Sequence, residues 1–183
     1  MNRSGKIFGL LLCASFIMLY CIDVEADGPS EYEVKAAFIH NIAKFIAWPV
    51  TTRTAGSQRL CTLGQNPFGR SLDALQGQAI GDKVWEISSV NLESNLHKCN
   101  VLFISASESG NLGKILDTTK GDAVLTIGDT SGYAQQGVIV NFYLERDKVR
   151  FEINNNAAER AGLKISSKLL KLARIVPDAG GSK

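Results

Sequence analysis

The chain has 183 residues, of which 20 are lysine or arginine and 18 are aspartate or glutamate, so its formal net charge at pH 7 is +2. Hydrophobic residues make up 45% of it, a proportion typical of globular domains that excludes a disordered or fibrous chain. The small net charge argues against a nucleic-acid-binding protein, since such proteins usually carry a marked basic excess. With two histidines and four cysteines, the chain has little material for a zinc site.

The first 26 residues have the organisation of a secretory signal peptide. Two basic residues precede the apolar run 7–22, and the residues up to Ala26 fit the small-x-small pattern that signal peptidase recognises. The run is shorter than the roughly 20 residues that span a bilayer, which argues against a membrane anchor. Cys21 raises the alternative of a lipoprotein, but the bulky Tyr20 stands before it. We therefore expect an exported chain with no transmembrane segment after cleavage at Ala26.

Export leaves only Cys61 and Cys99 in the mature chain. Two cysteines in an oxidising compartment indicate one disulfide. Each stands beside an apolar run, as at the start of a strand, and this would place them close together in a sheet. The sequence has neither the Cys-x-x-Cys spacing of a redox pair nor further ligands for a metal. We therefore predict a structural disulfide, and neither a metal site nor a cofactor.

The mature chain begins with a predicted helix. Ser30 and Glu33 have the spacing of a capping box, and the helix is expected to run to about Ala47, before Pro49. Its apolar face would pack on a core, and Lys35 falls inside that face. Such a lysine either extends its ammonium group to solvent or pairs with a buried carboxylate at a switch or ligand site.

Strands and helices then alternate along the chain. Apolar runs predict strands over 60–63, 101–104 and 123–127, and the continuous runs over 101–104 and 123–127 are typical of buried parallel strands. The weak alternation over 83–90 predicts a strand near an edge of the sheet. Further helices are predicted from Asn66-Pro67, over 111–119, over 154–162 and from Ser166 through Arg174, with a hairpin formed by 137–144 and 148–153. This order predicts one α/β layered domain over 27–177, with a mostly parallel sheet flanked by helices. A flexible tail is expected over 178–183.

The segment 64–71 differs by one residue from the phosphate-binding pattern G-x-x-x-x-G-K-[ST]. Pro67 removes a backbone N–H group that such a loop needs, and Arg70 replaces the lysine, so we expect an ordinary turn from strand to helix. The start of that helix could still bind an anionic group. A small-ligand sensor is therefore the alternative function, with its pocket at the carboxyl ends of the strands. The residues of this predicted pocket are Gly64, Asn66, Ser105 and Asp129.

The sequence does not assemble a catalytic site. It has no G-x-S-x-G motif, and its histidines, His40 and His97, are both predicted to be solvated. Asp122 and Asp129 bracket one predicted strand and would face its opposite ends. We expect no enzymatic activity, because an exported hydrolase would need a nucleophile and a base.

The predicted C-terminal helix has an apolar stripe and a basic side. Its basic residues are Lys164, Lys168, Lys171 and Arg174. Such a face is usually only solvated. The functional alternative is contact with an acidic partner or an anionic membrane surface. Together with Lys35, these four are the residues predicted to contact a partner.

Several blocks of the sequence resemble the YfiR family of bacterial periplasmic proteins. The first is KAAFIHNIAKFIAWP over 35–49, and the last is GLKISSKLLKLAR over 162–174. Between them lie Leu60-Cys61 with Gly64 and PFG at 67–69, Cys99 ahead of 101–104, the segment 129–137, and RFEIN over 150–154.

The resemblance implies a Rossmann-like fold without catalysis. It also implies a regulator in the periplasm that forms homodimers and depends on oxidation state. Its expected partner is an inner-membrane diguanylate cyclase, which it would bind and repress through that enzyme's periplasmic part. Such repression would restrain cyclic-di-GMP signalling and biofilm formation. A second cysteine pair found in some relatives is missing here, which argues against strong redox control by disulfide reshuffling.

Overall fold

The structure is a computed structural model that describes residues 29–49 and 56–179. The predicted signal peptide lies outside the described residues. Among the helices of the described part, none is long and apolar enough to cross a membrane.

Four helices and ten strands make up the regular structure of the described residues. The helices are α1 (Glu31–Ala43), α2 (Leu112–Thr118), α3 (Asn155–Arg160) and α4 (Ser167–Leu170). The strands are β1 (Ile46–Ala47), β2 (Ser57–Leu63), β3 (Ala79–Ile80), β4 (Lys83–Val90), β5 (Val101–Ile104), β6 (Leu125–Gly128), β7 (Val140–Glu145), β8 (Lys148–Ile153), β9 (Lys164–Ile165) and β10 (Arg174–Ile175). Short 3₁₀ segments occupy Asp73–Leu75, Leu96–Lys98 and Ala106–Asn111.

Eight strands form one sheet in the order β10-β8-β7-β6-β5-β2-β4-β3, and β1 pairs with β9 in a separate two-stranded sheet. Within the large sheet, β3–β4 and β7–β8 are antiparallel, whereas the other neighbours are parallel. The predicted α/β class is confirmed, and the sheet is mixed. The predicted hairpin is β7–β8, whose two-residue turn places Arg146 and Asp147 at φ 50° and 59°. Positive φ at both positions is what a type I′ hairpin turn requires.

Helix α1 begins as the sequence predicts but ends earlier. The Ser30 hydroxyl accepts from the Glu33 amide at 3.3 Å, and the Glu33 carboxylate accepts from the Ser30 amide at 2.7 Å, so the capping box is present. The helix ends at Ala43 instead of near Ala47. The reason is non-local, because the following residues pair as β1 with β9, more than a hundred positions along the chain.

Alternate residues of the central strands fill two cores, one on each face of the sheet. The first core lies under α1 and includes Ile39, Ile42, Leu60, Phe103 and Leu125. The second lies under α2 and includes Cys61, Leu63, Leu102, Ile104 and Ile115. The period of two along each strand sends neighbouring residues to opposite faces, which explains the continuous apolar runs seen in the sequence.

One predicted helix is absent and another is shorter than predicted. The chain from Asn66 makes a series of turns and one 3₁₀ segment instead of a helix. The Asn66 side chain accepts from the Phe68 amide at 2.9 Å, a local turn that competes with helix formation, and Gly69 has a φ of +53°. The last helix, expected through Arg174, ends at Leu170 as α4, because Arg174 pairs as part of β10 with β8.

The chain beyond β10 is held against the domain at the residue where we expected a flexible tail to begin. Asp178 forms an ion pair with Arg160 at 2.5 Å and also accepts from the side chain of Asn154. The Ala179 amide donates to the Gln135 carbonyl at 2.7 Å. The arginine holds the pKa of the Asp178 carboxyl below its usual value, against the opposing effect of burial. These contacts attach Asp178 and Ala179 to the domain.

Candidate functional site

A buried ionic cluster joins α1 to the carboxyl end of β6. Lys35, only 3% exposed, donates from Nζ to Asp129 Oδ2 at 2.7 Å and lies 2.5 Å from Glu31 Oε1. The Tyr32 hydroxyl donates to the same Asp129 oxygen at 3.0 Å, and the Lys35 ammonium lies 4.3 Å from the centre of the Tyr32 ring. The sequence leaves open whether Lys35 reaches solvent or pairs with a buried carboxylate; the structure shows the pairing.

The electrostatics of this cluster favour a charged lysine. Burial lowers the pKa of Lys35, but hydrogen bonds to Asp129 and Glu31 more than offset it, so the net pKa is raised. The pKa of Tyr32 is raised by burial and then by the Asp129 carboxylate. At neutral pH the cluster therefore holds an ammonium group between two carboxylates and a neutral phenol. A charged amine is no nucleophile, so the arrangement acts as a structural tie.

The residues of the predicted ligand pocket lie at the same edge of the sheet. Gly64 follows β2, Ser105 follows β5 and Asp129 follows β6. The space beside Gly64 is occupied, since a Cβ built there would lie 2.4 Å from the Ser107 hydroxyl oxygen. That hydroxyl accepts from the Gln65 amide at 2.9 Å. The 3₁₀ segment Ala106–Asn111 thus packs against Gly64 at the edge where such sheets commonly bind ligands.

The other members of that predicted pocket have partners within the chain. The Ser105 carbonyl accepts from the Tyr133 hydroxyl at 3.3 Å, and Ser105 itself is buried. The Asp129 carboxylate accepts hydrogen bonds from Lys35 and Tyr32. Asn66 alone borders an open cavity, which has a volume of about 400 Å³ and is also lined by Thr62, Asp73, Gln76 and Ser89. The four predicted residues therefore share an edge of the sheet, but only Asn66 faces this open space.

The predicted disulfide between Cys61 and Cys99 is confirmed. Cys61 lies on β2 and Cys99 stands just before β5, its neighbour in the sheet. Their Cα atoms are 5.9 Å apart, and the two residues are 0% and 1% exposed. Both belong to the core beneath α2, so the bond is a packed part of that core.

The four basic residues that the sequence assigns to one helix lie on or beside three different elements. Lys164 is on β9, Lys168 is on α4, Lys171 follows α4, and Arg174 is on β10. The three lysines are exposed. Arg174 instead donates from Nη2 and Nε to Glu152 Oε2 at 2.5 and 3.1 Å, and its guanidinium carbon lies 4.1 Å from the centre of the Tyr143 ring. The guanidinium group of Arg174 is thus engaged in an ion pair with Glu152, which distinguishes Arg174 from the three lysines.

The sequence does not show that Lys44 and Phe45 lie beside the exposed residues Lys164 and Lys168. The pairing of β1 with β9 places them around one cavity of about 400 Å³, which is also lined by Lys164, Ile165 and Lys168. The signal was present in the sequence as an apolar Phe45 beside a lysine, but only the β1–β9 pairing reveals the neighbours.

One of the two histidines differs from expectation. His40, predicted to be solvated, accepts through Nδ1 from the indole N–H of the buried Trp85 at 2.8 Å. Burial and then the positive charge of Lys44 lower the pKa of His40, so at neutral pH it is a neutral acceptor. His97 is exposed and contacts Asp122 through Nδ1. Within the described residues, no group of three or more histidine, cysteine, aspartate or glutamate side chains could hold a metal ion.

Comparison with known proteins identifies the family. The YfiR/HmsC-like family model matches residues 32–174, which is well over half of the chain and includes the Lys35–Asp129 pair, the disulfide and the lysines around β9. No curated protein matches the chain. The chain therefore belongs to the YfiR/HmsC-like family.

Proposed function

We propose that the protein is a non-enzymatic periplasmic regulator of an inner-membrane diguanylate cyclase. It would bind the cyclase's periplasmic sensor region and hold the enzyme inactive, which restrains cyclic-di-GMP signalling and biofilm formation. The observation that carries the proposal is the family match over residues 32–174. The internal pairing of Lys35 with Asp129 also favours a binding protein over an enzyme.

The buried disulfide supports the proposed compartment. Disulfides persist in oxidising compartments such as the periplasm and are rare in the cytosol. The bond between Cys61 and Cys99 therefore agrees with cleavage of residues 1–26 on export. If the leader is removed after Ala26, the exported protein begins at Asp27, and its intact mass shows that residues 1–26 are gone.

Repression of this kind is a shift of a conformational equilibrium. The regulator represses only if it binds the inactive cyclase more tightly than the active one. Moving the cyclase from 1:99 to 99:1 in favour of the inactive state requires a differential affinity of about 5.5 kcal/mol. An interface of ordinary size can supply this much.

We place the contacts with the cyclase at the exposed Lys164, Lys168 and Lys171. Lys35 and Arg174 were predicted to contact the partner as well. Lys35 is almost fully buried and Arg174 is engaged by Glu152, so in this proposal they keep α1 and β10 in position. The homodimer that the resemblance implies is part of the proposal, and the molar mass of the exported protein in solution tests it.

The strand order supports a Rossmann-like description of the fold. Strands β4, β2, β5, β6 and β7 are parallel neighbours in that sequence. Relabelled along the chain this is the order 2-1-3-4-5, which is common among doubly wound α/β domains. We propose that β3, β8 and β10 are additions to the edges of such a core.

Deletion of the gene tests the function. Loss of the regulator should raise intracellular cyclic-di-GMP and biofilm, and a plasmid copy should reverse both. In vitro, the exported protein should capture the cyclase's purified periplasmic region, and high salt should weaken the capture.

A matched pair of variants makes the test specific. Lys168→Glu/Lys171→Glu should reduce capture, whereas Lys114→Glu/Lys120→Glu, which changes the net charge equally at exposed positions around α2, should not. Unchanged cyclic-di-GMP in the deletion strain would overturn the proposal. A rise in the melting temperature of the purified exported protein with a specific metabolite would then favour the small-ligand sensor.

A further inference from the structure

Two segments that are far apart in the sequence form one surface in the structure. Lys44 and Phe45 precede β1, and β1 pairs with β9 through Ile46 with Ile165 and Ala47 with Lys164. The Ser166 amide donates to the Phe45 carbonyl at 2.9 Å and closes this junction. We call the resulting surface the basic–apolar patch. Its side chains are Lys44, Phe45, Lys164, Lys168, Lys171 and Leu172.

The helical turn of α4 extends the patch beyond the cavity at β1. The Lys171 amide donates to the Ser167 carbonyl at 3.2 Å, and the Leu172 amide donates to the Leu169 carbonyl at 3.0 Å. The chain therefore keeps a helical path for a few residues after α4. Residues three and four positions after Lys168 share its side of a helix, so Lys171 and Leu172 lie next to Lys168.

The patch combines unpaired positive charge with exposed apolar area. Over residues 29–49 and 56–179, Lys44, Lys164, Lys168 and Lys171 make no ion pair; Lys44 donates only to the neutral Asn41 side chain, at 3.3 Å. No carboxylate is among the residues that line the cavity at β1. Phe45 is 38% exposed and Leu172 is 73% exposed.

We propose that the basic–apolar patch docks the protein on the surface of an anionic phospholipid bilayer. Lysines around projecting apolar side chains suit the interface, where the ammonium groups meet lipid phosphates while the apolar groups enter the acyl boundary. An acidic protein segment would satisfy the lysines but would leave the protruding Leu172 without an apolar partner. The membrane satisfies both, and the observations therefore favour it.

Docking of this kind would hold the regulator at the surface in which its proposed partner is embedded. Because both proposals use Lys164, Lys168 and Lys171, the bilayer and the cyclase would occupy these lysines in turn. The inference itself does not depend on that partner, because it follows from the charges and exposures of the patch. A test with lipid vesicles alone therefore separates the two proposals. Failure of vesicle binding leaves the proposed cyclase regulation standing, and failure of cyclase capture leaves lipid docking standing.

The experiment uses the exported protein recovered from the periplasm, after its intact mass shows that the leader is gone. The protein is floated with vesicles of phosphatidylcholine alone or of phosphatidylcholine mixed with phosphatidylglycerol. We expect binding to the anionic vesicles only, and its loss in high salt. Each basic residue near an anionic surface strengthens binding about fivefold, so Lys164→Gln/Lys168→Gln/Lys171→Gln should weaken it on the order of 100-fold.

Two matched controls make the result specific to the patch. Lys98→Gln/Lys114→Gln/Lys120→Gln removes the same charge from exposed residues outside the patch and should bind like the unmodified protein. Leu172→Ser should weaken binding, whereas Leu144→Ser, at a residue 53% exposed on β7, should not. Circular dichroism checks that each variant is folded.

Three outcomes would overturn the inference. They are no binding to anionic vesicles, equal loss in the two lysine triples, and unchanged binding by Leu172→Ser. If the exported protein ignores vesicles yet captures an acidic periplasmic domain through the same lysines, the patch is a protein interface and lipid docking is wrong.

Discussion

The ammonium group of Lys35 lies 2.7 Å from Asp129 Oδ2, and the two side chains are only 4% and 8% exposed. The contact joins the first helix to the loop after β6, 94 residues further along the chain. A buried pair of this kind adds little over an apolar pair of the same size, but removal of one partner leaves an uncompensated buried charge. The cluster should therefore be far more sensitive to single than to paired changes.

Lys35→Met should lower the free energy of unfolding by about 3–5 kcal/mol, because Asp129 then keeps only the Tyr32 hydroxyl as a partner. Lys35→Met/Asp129→Asn should recover much of that loss. Urea denaturation followed by circular dichroism measures both. The control is Arg70→Met, which breaks an exposed pair with Asp73 at 3.6 Å and should cost less than about 1 kcal/mol. Equal losses in Lys35→Met and Arg70→Met would show that the buried pair does not stabilise the fold.

His40 should make the protein less stable in mild acid. Its pKa is lowered from 6.5 by burial and by Lys44, and its Nδ1 can accept from Trp85 only when unprotonated. The stability from this contact is therefore full above pH 6.5 and is lost as the pH falls toward the lowered pKa, since the unfolded chain takes up the proton first.

His40→Asn should remove this pH dependence, because the Asn oxygen can replace Nδ1 as an acceptor but does not titrate. The measurement is the free energy of unfolding as a function of pH for both proteins, with the His40 pKa read from NMR titration of its ring protons. A His40 pKa at or above 6.5, or the same acid sensitivity in His40→Asn, would contradict the prediction.

The sequence predicts those parts of the fold that local signals determine. The capping box at Ser30, the apolar strand over 101–104 and the hairpin that precedes and follows residues 145–147 all depend on a few neighbouring residues, and all are present. The segment 164–175 differs because its periodicity fits a helix, whereas its backbone finds strand partners in β1 and β8. Pairing between distant segments overrides local propensity there.

The candidate site also combines features that the local sequence predicts with contacts that it does not predict. Two cysteines left in a chain that is expected to be exported are enough to predict the disulfide. A lysine on an apolar helix face leaves open whether its ammonium group reaches solvent or pairs with a buried carboxylate, and the pattern does not identify Asp129 as the partner. Nor does it show that Ser107 fills the space beside Gly64, or that Phe45 lies beside Lys164. These contacts join residues on different elements, so they depend on the tertiary structure.

The disulfide should be a strong stabiliser that reductants reach only through unfolding. Cys61 and Cys99 are separated by 38 positions, and closing a loop of this length is worth about 4 kcal/mol in the chain-entropy model. Cys61→Ala/Cys99→Ala should lower the free energy of unfolding by a comparable amount. Because both cysteines are at most 1% exposed, a phosphine reductant should reduce the native protein no faster than it unfolds.

Alkylation of free thiols followed by mass spectrometry measures that reduction rate, in native buffer and in urea. The comparison bears on the redox dependence that the resemblance implies. Fast reduction of the folded protein would mean that a local opening exposes the bond, and the disulfide would then be accessible as a switch. Slow reduction would limit any release of the partner by reductants to molecules that have already unfolded.

Because the Glu152 carboxylate is buried, the stability of the folded protein should depend on its partner Arg174. The Glu152 side chain is 3% exposed, and it accepts from Arg174 at 2.5 Å and from Asn141 Nδ2 at 3.3 Å. Arg174→Leu would leave the buried carboxylate with only Asn141. We expect a loss of about 2 kcal/mol in the free energy of unfolding, a moderate value because the Arg174 side chain is 55% exposed and solvent screens the pair.

The same change should loosen β10, since the pair lies at the register position that joins Arg174 to Glu152. Hydrogen exchange at the Val176 amide, which donates to the Ile153 carbonyl at 2.9 Å, reports this directly. Arg174→Leu/Glu152→Gln should restore part of the stability, because no charge is then left buried. The control is Arg150→Leu, which affects an exposed pair with Glu145 at 3.9 Å. If it speeds exchange at Val176 as much as Arg174→Leu does, the Glu152 contact does not hold the strand, and backbone pairing alone must keep β10 in the sheet.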